Sequence, residues 1–259
     1  MVRQRMKVID CIQSLWQLRE PETLTKKQFW RAYTSGRRNF NYTHLLNVNL
    51  GDVDFRQISL KHAELRQCYF PSQLNLVQAD LTRVNLSGMD LSDRDLSRVI
   101  LTGANLSNCN LVGTNLSHAN LHRANLNNAN LERALLTGAN LSSAKLNKAN
   151  LYQGDLIGAQ LSKTALAGVN LSEAGLESAN LSRANLQHAN LTNANLFNAN
   201  MSRANVSWAN LTGADLYGTN LHKAKRIGVV LSGARLPWGM VHQWTENVDR
   251  RNLFSMFSE

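Results

Sequence analysis

Ala119-Asn120-Leu121-His122-Arg123-Ala124-Asn125-Leu126-Asn127-Asn128-Ala129-Asn130-Leu131 repeats one unit of five residues, A-N-L-x-x. A period of five fits neither regular element. A helix advances about 3.6 residues per turn, so a five-residue stripe would wind around it. A strand alternates with period two, so an odd period changes face at each repeat. The conflict disappears if the chain turns a corner every five residues, with Ala and Leu inward and Asn and the two following residues outward. Four such sides close a square coil of twenty residues.

The pattern extends far in both directions. A large apolar residue stands at every fifth position from Phe40 through Leu45, Leu50, Phe55, Leu60 and Leu65 to Phe70. A six-residue step through Pro71 and Ser72 resets the phase, and from Leu76 the period runs without an indel to Leu221 and on to Leu231 and Leu236. This predicts an all-β solenoid of about ten coils, roughly 48 Å long at about 4.8 Å per coil. Each inward Leu contributes on the order of 1.5–3 kcal/mol by burial. Asn residues one coil apart stack into a ladder of side-chain amides. Arg94 and Arg226 fall at inward positions, where an isolated charge is severely costly, so the backbone is expected to bulge there and release both side chains to solvent.

An open β-helix leaves unpaired backbone at both ends unless it is covered. Residues 4–19 carry an amphipathic apolar set that Pro21 stops. Thr25 is positioned to N-cap a second helix holding Phe29, Trp30 and Tyr33, with Gly36 at its C-terminal cap. Val241, Trp244, Val248, Leu253, Phe254 and Phe257 fit either a capping helix or a homodimer contact. The chain therefore divides into a basic helical cap (1–38), a β-helix (39–236, with an insertion at 71–75) and a C-terminal capping or dimerisation segment (237–259).

The A-N-L-x-x run closely resembles the pentapeptide-repeat family, which implies a right-handed quadrilateral β-helix. Arg31-Ala32-Tyr33-Thr34-Ser35-Gly36-Arg37-Arg38-Asn39-Phe40 is similar to the entry segment of many cyanobacterial members, among them a regulator of heterocyst differentiation. Leu236-Pro237-Trp238-Gly239-Met240-Val241-His242 is similar to their common ending. The resemblance implies no enzyme activity in the repeat itself.

Composition agrees with a stacked core of few shapes: 43% of the 259 residues are hydrophobic but only 7% aromatic. Cys11, Cys68 and Cys109 form no CxxC pair, and two of them fall at inward positions, as small buried hydrophobes in a reducing compartment would. With no apolar run long enough to span a bilayer and no cleavable leader apparent, a cytoplasmic protein is expected. The net charge of +10 is uneven: residues 1–40 hold nine Lys/Arg against three Asp/Glu, and the long middle of the chain is nearly neutral.

Positions twenty apart stack, so each face reads as a column. One column of last-in-repeat residues runs Arg83, Gly103, Arg123, Ser143, Lys163, Arg183, Arg203, Lys223, with His122 and His222 beside it and Asp80 as the outward acid of those repeats. It fits a solvated edge whose charge resists lateral association. It fits equally a site for an anionic partner, either an acidic protein surface or a polyanion. Phe197 and Tyr217 form an aromatic column on the face that also carries Glu177 and Trp238, open to the C-terminal segment or to a partner.

No histidine pair has metal-ligand spacing, no nucleotide or nucleophile motif stands in a strand-to-helix context, and no cofactor is implied. These features point to a non-enzymatic protein-binding scaffold or regulator. Nucleic acid or an anionic membrane surface is the alternative, and gyrase protection by DNA mimicry is disfavoured by the positive charge.

Overall fold

The turn after each leucine sets the architecture. In the repeat Leu121-His122-Arg123-Ala124, the Ala124 N–H donates to the Leu121 carbonyl at 2.9 Å. Arg123 has φ 57° while His122 keeps a negative φ, as a type II turn demands. The computed structural model describes residues 21–237 except 56, 57, 67 and 71–75, and this turn recurs along nearly all of that length.

Four turns bring the chain back over itself. Parallel bridges join Asn105 to Asn125, Asn110 to Asn130, Asn115 to Leu135 and Asn120 to Asn140, each pair twenty residues apart, one on every side of the coil. Both backbone groups are used: the Leu121 N–H donates to Asn140 O at 2.8 Å, and the Asn140 N–H to Ala119 O at 2.9 Å. The result is a quadrilateral β-helix. Across the step at 71–75 each interval is one residue longer: Glu64 is bridged to Asn85, twenty-one residues on, and the His62 N–H donates to Thr82 O at 3.0 Å, twenty residues on, where the equivalent bond from Arg123 to Ser142 spans nineteen. One extra residue is absorbed there and the stack resumes.

Ala and Leu of the repeat point inward as expected. Every leucine from Leu101 to Leu151 at the repeat centre is 0% exposed. Where Thr replaces Ala the hydroxyl is satisfied, because Thr114 Oγ1 donates to Leu91 O at 2.8 Å and Thr164 Oγ1 to Leu141 O at 2.9 Å. The amide ladder is present: Asn125 Nδ2 donates to Asn105 Oδ1 (3.1 Å), and Asn170 Nδ2 to Asn150 Oδ1 (2.9 Å). Each Asn oxygen also accepts the N–H two residues on, as in Ser107 to Asn105 at 3.2 Å, so one side chain ties its own turn to the next coil.

Before the repeats, β1 (Thr23–Thr25) pairs in parallel with β2 (His44–Leu46), which pairs with β3 (Glu64–Arg66). Between β1 and β2 lies α1 (Lys26–Thr34). Thr25 begins the helix, its N–H and hydroxyl both donating to Gln28 Oε1 at 2.9 and 2.7 Å. Gly36, at φ 97°, ends it, and its N–H donates to Tyr33 O at 3.1 Å. Phe29 is fully buried with its ring 4.9 Å from Phe40, and the Asp54 N–H donates to the Tyr33 hydroxyl at 3.0 Å. The first amphipathic segment (4–19), Cys11 and the segment from Trp238 onward lie outside the described residues.

The expected bulges at Arg94 and Arg226 do not occur. Bridges Asp90–Asn110 and Asp95–Asn115 flank Arg94 in register, and the Asn115 N–H still donates to Arg94 O at 2.9 Å. Arg94 is half-buried, and its Nε and Nη1 are sealed from solvent without a hydrogen-bond partner. Around Arg226 the ladder also continues, with the Trp208 N–H donating to Ile227 O at 2.7 Å. Arg226 keeps the leucine position and lines the last coil beside Leu221, Val229 and Leu231, where burial lowers its pKa. Several ladder hydrogen bonds outweigh partial burial of one long side chain whose stem is itself apolar.

Cys68 and Cys109 are buried free thiols. Cys109 Sγ donates to Leu86 O at 3.0 Å, and burial pushes its pKa up to about 11. Alkylation by iodoacetamide at about pH 8 should therefore leave Cys109 unmodified in native buffer and complete in denaturant, read by peptide mass spectrometry. Native labelling at the denatured rate would mean that this coil opens readily.

Candidate partner-binding face

The residue that follows the outward pair's first member sits in the left-handed region, and this is what aims the basic column. Arg83, Arg123, Lys163, Arg183, Arg203 and Lys223 have φ between 56° and 60°, and all six are exposed. They share one corner: the Lys163 N–H donates to Ser182 O (3.0 Å), that of Arg183 to Ser202 O (2.9 Å), and that of Arg203 to His222 O (2.8 Å). Gly103 and Ser143 interrupt the upper part, whereas Lys163, Arg183, Arg203 and Lys223 are consecutive.

Lys163, Arg183 and Arg203 border a shallow trough of about 590 Å³, whose other walls are Ser162, Ser182, Ser202, Asn180, Asn200, Asn220 and His222. No carboxylate borders it. Among the described residues none of the six cations forms an ion pair; Asp80, the acid of these repeats, is taken by Lys61 Nζ at 2.9 Å. Burial alone would raise the Asp80 pKa, but its bonds from Thr82 and Lys61 outweigh that and hold it below the ordinary carboxylate range.

The corner also extends beyond the sequence reading. Across the twenty-one-residue step, Arg83 lies next to His62, which stacks on Tyr42 at 4.5 Å. Burial, and then Arg83, lower the His62 pKa. The continuity was hidden because the phase changes at Pro71.

A family profile described as Pentapeptide repeats, in 8 copies, matches residues 72–98 and, in overlapping segments, 100–236. The chain belongs to the pentapeptide-repeat family. Members of it form right-handed quadrilateral β-helices, which gives the coil its hand. Among solved structures, HetL of the cyanobacterium Nostoc sp. PCC 7120, a pentapeptide-repeat protein involved in heterocyst differentiation regulation, is 31% identical over 85% of this chain and 100% of its own, with a TM-score of 0.33. Rfr23 from the cyanobacterium Cyanothece 51142 is 47% identical over 37% of this chain and 58% of its own, with a TM-score of 0.24. The Nostoc protein alr5209 is 32% identical over 45% of this chain and 83% of its own, with a TM-score of 0.33. Comparison with curated proteins gave no match.

In this pentapeptide-repeat protein the aromatic column is also formed. Phe197 and Tyr217 stack at 5.9 Å with their rings 9° apart, and the Arg235 guanidinium lies 4.3 Å over Tyr217 while pairing with Asp215 at 3.2 Å. Below them Glu177 accepts a hydrogen bond from Asn195, and its other oxygen is buried without a partner. Trp238 lies outside the described residues. A second apolar group was not anticipated: Trp208, Ile227 and Val230 are 54%, 67% and 48% exposed. The signal for it is a Trp in the turn position that otherwise takes polar residues or Gly, and its ring lies flat where a Cβ on Gly228 would sit.

Among the described residues no group of three or more His, Cys, Asp or Glu is placed to hold a metal, and no helix is long and apolar enough to cross a membrane.

Proposed function

We propose that this pentapeptide-repeat protein is a non-enzymatic scaffold or regulator of a bacterial, cyanobacterial-type cytoplasm that engages an anionic protein partner through its basic corner. On this reading the rod has about ten coils with helical segments at both ends, and its straight faces serve as the docking surface. One observation carries it: Lys163, Arg183, Arg203 and Lys223 stand in consecutive coils, exposed, with no neutralising acid among the described residues. Like charges about 4.8 Å apart repel, and a surface that only needed solubility could alternate signs at no loss to the core. The likeness to HetL, a protein involved in regulation, supports a regulatory role by analogy.

Charge reversal tests the reading. Arg183→Glu with Arg203→Glu should leave thermal stability within about 0.5 kcal/mol, since both are surface positions. It should abolish recovery of species that cross-link to the wild-type chain in its native cells. Unchanged recovery would remove the corner from consideration. A polyanion is the competing ligand, and its binding would collapse steeply with salt, whereas a protein contact with further polar bonds would decline more gently.

A further inference from the structure

We infer that the partner segment recognised by the Lys163–Lys223 corner is an acidic α-helix lying along the rod axis, with carboxylates one turn apart. The inference rests on the anionic-partner reading above and adds the shape of the ligand.

Spacing decides between the shapes an anionic chain can take. Four cations on successive coils span three intervals of about 4.8 Å, or about 14 Å. The floor between them is rigid, because Asn180 Nδ2 donates to Gln160 Oε1 (3.1 Å), Asn220 Nδ2 donates to Asn200 Oδ1 (3.5 Å), and the oxygens of Asn180 and Asn200 accept the N–H of Ser182 and Ser202. The cations are thus held at a fixed pitch. Carboxylates at i, i+4, i+7 and i+11 of a helix fall on one stripe and span about 16 Å at 1.5 Å per residue. The misfit of about 2 Å over the whole row is within the reach of flexible Lys and Arg side chains. An extended peptide puts same-side carboxylates about 6.7 Å apart, so four would span about 20 Å and fall out of step after two coils.

Chemistry separates helix from nucleic acid. Single-stranded binders offer aromatic platforms for bases, and here the walls are Ser, Asn and His222 alone, with the aromatic groups Phe197–Tyr217 and Trp208 on other sides. The same walls present no apolar shelf, so the complementary helix is polar on its docking face and held by charge. Such contacts are individually weak, which suits a reversible regulatory encounter.

The full-length chain can be titrated at low salt, by fluorescence anisotropy, against three labelled probes. One is an Ala-rich helical peptide with Glu at i, i+4, i+7 and i+11. The second has the same composition with the Glu residues distributed around the helix. The third is an oligothymidylate of similar charge. The phased peptide should bind about ten-fold more tightly than the dephased one, the size expected if phase decides whether two or three weak exposed pairs form, and Arg183→Glu with Arg203→Glu should remove that difference. Equal binding of both peptides, lost in the charge-reversed variant, would overturn the helix and leave the basic corner as an anion site. Tighter binding of the oligothymidylate would overturn both in favour of nucleic acid, and no binding of any probe would overturn both.

Discussion

Replacing Leu146 with Ala should destabilise the protein by about 2–5 kcal/mol in chemical denaturation, the range for a fully buried Leu whose site cannot collapse. Leu146 is 0% exposed and sits in mid-stack, between Leu126 and Leu166 of the adjacent coils. Its backbone is fixed on both sides, with its own N–H donating to Ala165 O at 2.7 Å and the Lys145 N–H donating to Ala124 O at 2.9 Å. Those bonds prevent the coil from contracting around a lost isobutyl group. Because each coil touches only its neighbours, the loss falls on two interfaces and should reduce cooperativity as well as the midpoint. Lys145→Ala, an exposed change in the same pentapeptide, should stay within about 0.5 kcal/mol. A Leu146→Ala loss below about 1 kcal/mol would show that the leucine stack is not the source of stability.

Arg94→Ala should act in the opposite direction and stabilise by about 1–3 kcal/mol. The position is an inward one that takes Ala in most repeats, and Arg94 Nε and Nη1 are buried without a partner. Ala restores the repeat and removes the desolvation of two donors. The opposing term is small: Asp90 is held below the ordinary carboxylate range first by its bonds from Ser92, and Arg94 is the weakest of the groups favouring its charge. The same denaturation measurement decides the matter. A destabilised Arg94→Ala would mean that the guanidinium has work in the cavity beside Cys68, Phe70 and Met89, where it lies.

Much of the architecture was legible because burial writes directly into side-chain type. A strict Leu at every fifth residue has no other compact solution than a corner per pentapeptide, and Cys68 and Cys109 then read as residents of the interior. The N-terminal helix was legible for a different reason, since Thr25 and Gly36 are local signals that need no tertiary partner. What failed depended on competition between terms of similar size. A charge at an inward position suggests that the backbone yields, but at Arg94 the hydrogen bonds to the next coil hold and the side chain gives way. The left-handed conformation of Arg123, Lys163 and Trp208 was also invisible, because Gly or Asn is the usual marker of positive φ. Here the ladder above and below imposes the turn whatever residue fills it. The continuity from Arg83 to His62 and Tyr42 crosses the six-residue step at Pro71, and the pairing of Glu64 with Asn85 shows that the columns carry on across it.

That step has an evolutionary corollary. A coil of twenty residues acts as a reading frame for surfaces: gain or loss of one pentapeptide leaves every leucine inside, yet turns all later columns by a quarter revolution relative to the earlier ones. Duplicating a single repeat between Lys163 and Arg183 would split the cation row across two sides while the fold survived intact. Only recombination in whole coils lengthens a row without breaking it, so a family built this way can scramble its ligands far faster than it loses its shape.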